Sequence, residues 1–155
     1  MNVRDHTKEF NVPTNTRKHH DIFPPNIFCV IAGSTGSGKT NLLVHLLKEE
    51  KLLNYNHIYV YSATLHQPAH LREYYGTLEK QIQQELNQSI QIAHFFEADN
   101  EIQNPSELDR NKNHVMIFDD VMMEHQDIIK KYFCQGRHNN INIFYLCQSL
   151  HKIAK

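Results

Sequence analysis

Four stretches of this chain are apolar almost throughout: residues 27–32, 58–62, 115–118 and 141–147. A strand with one wet face alternates apolar and polar positions. A strand covered on both faces does not, and parallel sheets are covered on both faces. These runs therefore predict buried parallel strands. A fifth stretch, 92–96, is less uniformly apolar and is expected at a sheet edge. Helical patterns fall between the runs. Residues 39–53 are apolar on more than one side, as expected of a helix packed between a sheet and its neighbours. Leu71, Tyr75, Leu78, Ile82 and Leu86 recur at steps of three and four, a single stripe that Gly76 interrupts. Over 124–134, Ile128, Ile129, Tyr132 and Phe133 form the inward side of another helix. Strand and helix alternate from end to end, which predicts an α/β domain with a mainly parallel sheet. Residues 1–26 hold Pro13, Pro24, Pro25 and many polar side chains, and read as an irregular arm before a domain over 27–155.

The turn after the first run carries the chemistry. Gly33, Ser34, Thr35, Gly36, Ser37, Gly38, Lys39 and Thr40 complete the pattern G-x-x-x-x-G-K-[ST] between a predicted strand and a predicted helix, the context that this phosphate-binding loop requires. Glycines let the backbone curl so that several N–H groups face one anion, and the helix start adds its positive dipole end. Lys39 supplies a mobile charge for the β- and γ-phosphates of a nucleoside triphosphate. The Thr40 hydroxyl is placed to ligate Mg²⁺.

The run 115–118 ends in Asp119 and Asp120. In open α/β sheets ligands gather beyond the carboxyl ends of the strands, so these acids and the phosphate loop converge on one rim. Asp119 fits the residue that holds hydrated Mg²⁺ beside Thr40, and Asp120 the residue that orients the attacking water. Gln148 ends the last run and reaches the same rim, where its amide can serve a γ-phosphate or a water. Arg137 precedes that run by several residues. About ten residues, roughly 30 Å of extended chain, separate it from Gln148. It is expected to be either a surface ion-pair residue or a finger offered to a neighbouring subunit's nucleotide.

Composition narrows the rest. With 155 residues, 16 basic and 17 acidic, the chain is one ordinary domain whose net charge does not advertise nucleic acid. Twelve histidines sit at no zinc-finger or metalloprotease spacing. The three cysteines form no C-x-x-C pair, and buried thiols in a reducing compartment are expected. No signal-like or membrane-spanning run occurs, so an intracellular location is expected.

Phosphate loop, I-F-D-D-V at residues 117–121, G-R-H at 136–138 and L-C-Q-S at 146–149 together closely resemble the poxvirus-type viral genome-packaging ATPases. Similar enzymes occur in large DNA viruses, virophages and Maverick/Polinton elements, within the FtsK–HerA group of P-loop NTPases. The resemblance runs from about residue 27 to residue 153. It implies a RecA/FtsK-like three-layer sandwich and ATP with Mg²⁺ as cofactors. It assigns Arg137 as a finger acting in trans and Gln148 as the sensor. It also implies a homo-hexameric ring that threads double-stranded DNA, capsid or portal-vertex proteins as partners, and a place in the host cytoplasm, nucleus or virion. The chain departs from many members of the group in carrying Asp120 where they have glutamate, although the poxvirus-type branch shares the Asp-Asp pair. The group also continues through a further core strand beside the phosphate-loop strand, whereas this sequence stops at Lys155. A truncated, non-catalytic nucleotide binder is therefore an alternative. A P-loop small-molecule kinase is another, though no arginine-rich lid is evident. Two basic clusters, Arg17 to His20 and Lys130–Lys131, are candidates for gripping DNA.

Overall fold

The apolar runs become strands: β1 (Phe28–Ala32), β2 (His57–Ser62), β3 (Ala93–Glu97), β4 (His114–Asp119) and β5 (Ile141–Cys147). The helices are α1 (Lys39–Lys48) and α2 (Gln126–Gln135), with short 3-10 turns at Pro105–Glu107 and Gly136–Asn139. The computed structural model describes residues 19–49, 52–62, 93–97, 102–121 and 126–149, with Thr77, Lys80 and Gln84. The apolar stripe from Leu71 to Leu86, with Gly76, lies outside the described residues. Thr77, Lys80 and Gln84, polar positions between its members, are helical and exposed.

The sheet order is β1-β5-β4-β2-β3, with every neighbouring pair parallel. This is the expected α/β architecture. All six residues of β4 and all seven of β5 are buried, as central strands covered on both faces must be. β3 forms one edge, as expected, and among the described residues β1 forms the other.

Two cores divide the faces. On one, Leu43, Val44 and Leu47 of α1 pack on Ile58, Val60, Val115, Ile117, Phe144 and Leu146. On the other, Ile129 and Tyr132 of α2, with Ile102 and Leu108, cover Tyr61, Met116, Phe118, Ile143 and Tyr145. Helices on both faces give the three layers. Side chains alternate along a strand, so Ser62 and Asp119 follow Val60 and Ile117 onto the face that α1 covers. The register places Glu97, Ser62, Asp119, Leu146 and Ile31 side by side in one row. α1 begins with Lys39 and Thr40, and the Lys39 ammonium acts on Asp119 in that row.

Three details differ from expectation. α1 stops at Lys48 rather than running to residue 53, because Glu49 turns to an extended conformation and its carbonyl accepts from the Leu52 N–H. Leu53 is then buried in the core from a loop. Cys147 is buried and Cys29 half-buried, but Cys134 is exposed on the outer side of α2. His19 is not part of a surface cluster. It is 7% exposed, and Nε2 donates to Asn142 Oδ1 at 3.0 Å while Nδ1 accepts from the Asn54 N–H at 2.9 Å. Asn142 Oδ1 also accepts from the Ile27 N–H at 3.0 Å. This network ties the end of the arm to the entrance of β1 and supplies the partners that buried polar groups need.

Candidate active site

The phosphate loop is shaped by its glycines. Gly36 and Gly38 sit at φ 76° and 86°, in the left-handed region that side-chain-bearing residues seldom occupy. Gly33 is closely approached: a Cβ there would stand 2.7 Å from Ser37 Oγ, so that hydroxyl would have to turn away. Gly38 caps α1 without a side chain, and the helix's first turn holds no acidic residue. The positive end of α1 is thus not offset by an anion of the helix's own, which is what a phosphate site needs. Lys39 Nζ donates to the carbonyls of Gly33 and Ser34 at 2.8 and 3.0 Å, folding the ammonium over the loop. Ser34 and Thr35 are exposed at its tip, and Thr40 is half-buried in the first turn of α1.

β5 fastens the two halves of the site together. It lies between β1 and β4, and the carbonyls of successive residues in a strand point to opposite neighbours. The Cys147 carbonyl accepts from the Gly33 N–H at 3.1 Å, and the Leu146 carbonyl accepts from the Asp120 N–H at 3.0 Å. One strand end thereby fixes where the phosphate loop starts and where the acidic strand stops.

Asp119, the last residue of β4, is 7% exposed. Its carboxyl is pushed up to about 6: burial is the largest cause, the neighbouring Asp120 adds to it, and the Lys39 ammonium and the Ser62 hydroxyl oppose it. Asp119 and Lys39 are thus electrostatic neighbours, as the shared-rim expectation requires. Asp120 has φ 48°, a left-handed conformation that costs a non-glycine residue free energy and concentrates at functional sites. Its Oδ2 accepts from Gln148 Nε2 at 3.4 Å. Gln148 is exposed at the mouth of the site.

The donors expected for a cation would all be hard oxygens: the buried Asp119 carboxylate, the Thr40 hydroxyl and, with nucleotide bound, phosphate oxygens. Among the described residues no group of three or more His, Cys, Asp or Glu forms an all-protein metal cage. Mg²⁺ held by one or two carboxylates, waters and phosphates needs none. A buried aspartate beside a second aspartate, with Lys39 offsetting the first, fits a site completed by a cation.

Arg137 is not brought to this cluster. It is exposed in the 3-10 turn before β5, at the rim opposite Gln148. Ser62 was not among the residues singled out from sequence. It is fully buried, and its Oγ donates to Asp119 Oδ2 at 3.4 Å. The only signal was a hydroxyl at the carboxyl end of an otherwise apolar run. Of the basic candidates for a DNA grip, Arg17 and Lys18 lie outside the described residues, and His19 is internal. His20, Lys130 and Lys131 are exposed.

Among the described residues no helix is long and apolar enough to cross a membrane. No curated protein and no solved structure matches the chain. The model of a family described as an ATPase domain predominantly from Archaea matches residues 23–134, a span holding the phosphate loop and both aspartates but not Arg137 or Gln148. With most of its length inside that match, the chain belongs to this family and is a P-loop ATPase.

Proposed function

We propose that this ATPase is a motor that moves double-stranded DNA, packaging a viral or virus-like genome into a capsid as a homo-hexameric ring. The reading rests on the four motifs in order and on one observation above all. The two ends of β5 carry different parts: Gln148 touches Asp120 at one rim, and Arg137 stands exposed at the other. An arginine that cannot reach its own nucleotide, on the strand whose far end contacts the water-orienting acid, is suited to serve the adjacent subunit's site.

In the proposed cycle, Lys39 exchanges the Gly33 and Ser34 carbonyls for β- and γ-phosphate oxygens as ATP enters. The loop amides and the start of α1 hold the same phosphates. Asp119 and Thr40 would hold Mg²⁺, which when bound offsets phosphate charge. Asp120 orients a water whose oxygen bonds to the γ-phosphorus as the bond to the β–γ bridging oxygen breaks; the electron pair of that bond stays on the ADP oxygen and the water releases a proton to solvent. Gln148, hydrogen-bonded to Asp120, registers the departure of the γ-phosphate. Arg137 of the neighbour stabilises charge developing on the transferred group, an effect worth roughly 10³–10⁵ in rate in related phosphoryl-transfer enzymes.

The test is ATP turnover with and without linear double-stranded DNA, together with displacement of a triplex-forming strand from that DNA. DNA-stimulated hydrolysis coupled to displacement is expected. Turnover indifferent to DNA, with no displacement, would remove the motor reading and leave the ATPase. A second reading, a nucleotide binder without turnover, draws on the position of β1, which among the described residues is an edge strand where Phe28 and Val30 are each 40% exposed. Saturable ATP binding with no phosphate release would favour it.

A further inference from the structure

The acidic strand ends in a charge that must be held still. A carboxylate at a strand terminus can rotate about its own side-chain bonds, and a metal-holding group performs best when a neighbour fixes its orientation. Ser62 is placed to do this. β2 and β4 run parallel in a register that sets Ser62 beside Asp119. Both side chains continue the face that carries Val60 and Ile117 under α1. Ser62 is fully buried, and its Oγ lies 3.4 Å from Asp119 Oδ2. A hydroxyl has one proton to donate, whereas an ionised carboxylate only accepts, so the direction of the bond is settled. Among the described residues, the protein bond to Asp119 goes to Oδ2, and Oδ1 would be the oxygen that faces a cation's water shell. Beyond Ser62 in the same row stands Glu97 at the end of β3.

We infer that Ser62 is a positioning residue for the metal-holding carboxylate, acting on Mg²⁺-dependent nucleotide binding through Asp119. The inference rests on the reading of Asp119 as the Mg²⁺ residue and adds the group that orients it. Partners of this kind typically affect metal affinity by about 10–100-fold. The 3.4 Å separation places Ser62 at the lower end of that range.

The test uses the full chain and mant-labelled ADP, titrated by fluorescence in EDTA and at increasing Mg²⁺. Ser62→Ala is expected to raise the Mg²⁺ concentration for half-maximal retention of mant-ADP by about tenfold. Its affinity in EDTA should stay within about twofold of the unsubstituted chain, because the amides and Lys39 are untouched. In an Asp119→Asn background Ser62→Ala should add nothing, since the group through which it acts is already altered. An unchanged Mg²⁺ requirement in Ser62→Ala overturns the inference, as does an equal loss in EDTA, which would mark a merely structural serine. If Asp119→Asn itself leaves the requirement unchanged, the metal role of Asp119 falls and Ser62 falls with it. If Asp119→Asn raises it and Ser62→Ala does not, only the role of Ser62 is lost.

Discussion

Gln148 Nε2 lies 3.4 Å from Oδ2 of Asp120, joining the end of β5 to the residue that closes the acidic strand. The contact gives Asp120 a defined direction at a point where its backbone is already unusual, with φ 48° and its N–H held by the Leu146 carbonyl. Such bonds are often long before substrate arrives and tighten in the reacting complex. A hydrogen bond to a charged group at the weak end of its range corresponds to about tenfold in rate. Gln148→Ala is therefore expected to lower kcat for ATP about tenfold while leaving the affinity for ADP unchanged. Single-turnover hydrolysis and equilibrium ADP binding check the two halves separately. A loss confined to ADP affinity would mean that Gln148 acts on the nucleotide rather than on Asp120.

Much of this arrangement was legible in the residues alone. A run such as Val115 to Phe118 has no polar interruption, so both faces must be covered, and the shared direction of parallel strands brings its end to the same rim as the phosphate loop. Gln148 could be placed on the same rim because parallel strands share their direction. The register could not be read, because it is set by contacts between segments far apart in sequence. Hence Ser62 escaped notice: only its pairing with Asp119 makes its hydroxyl chemically meaningful. His19 escaped for a different reason. Beside Arg17, Lys18 and His20 it looks like one more surface charge, and only Asn142, 123 residues away, turns it into a buried partner.

The Asp119 site carries a cost to stability. A group whose folded value is raised from 3.8 to about 6 is harder to ionise in the folded chain than in the unfolded one. Its contribution is most favourable below 3.8, where it is protonated in both states, and is lost as pH rises through about 6. Asp119→Asn should therefore stabilise the nucleotide-free protein most at pH 7–8, and the advantage should shrink between pH 6 and 4. Each tenfold change in proton affinity is worth about 1.4 kcal/mol; halved for screening and relaxation, the gain is roughly 3–6 °C in Tm. Thermal melts of both proteins across this range test it, and an Asn variant less stable than the parent at pH 8 would contradict the electrostatic account.

Acid acts oppositely at the other end of the sheet. His57 and His114 stack with ring centroids 5.8 Å apart, and His94 lies 3.4 Å from His57. Burial is the main reason that His57 and His114 fall below their ordinary 6.5; Lys112 and neighbouring histidines add to it, and Asp109 opposes. Lys112 Nζ stands 3.4 Å from His57 Nε2, so protonating that nitrogen would place two cations together. A lowered folded value means that the unfolded chain takes up protons first. The stability from these histidines is present above 6.5 and is lost as pH falls below it. Tm is expected to decline from pH 7 to pH 5, and more steeply in Asp119→Asn, where the opposing proton uptake is gone. His57→Asn should flatten the decline. An unchanged slope in that variant would move the acid sensitivity elsewhere.

Arg137 offers the most direct test of the proposed ring. It is exposed on the rim away from its own phosphate loop, so its loss should not harm that subunit's nucleotide binding. Arg137→Ala and Asp120→Asn should each abolish DNA-stimulated turnover for different reasons. In the proposed ring the first would leave every site without a neighbour's arginine, and the second would leave every site without the acid proposed to orient water. Mixing them in equal amounts before assembly creates interfaces where an intact Asp120 meets an intact Arg137. In a randomly assembled ring about a quarter of interfaces have both, so about a quarter of the parental rate should return if sites work independently. A ring that requires every site to fire in turn would return far less, and the mixing curve would become steeply concave. If Arg137 serves only as a surface ion-pair residue, Arg137→Ala alone would hydrolyse ATP at the parental rate, and mixing would merely dilute the Asp120→Asn subunits in proportion.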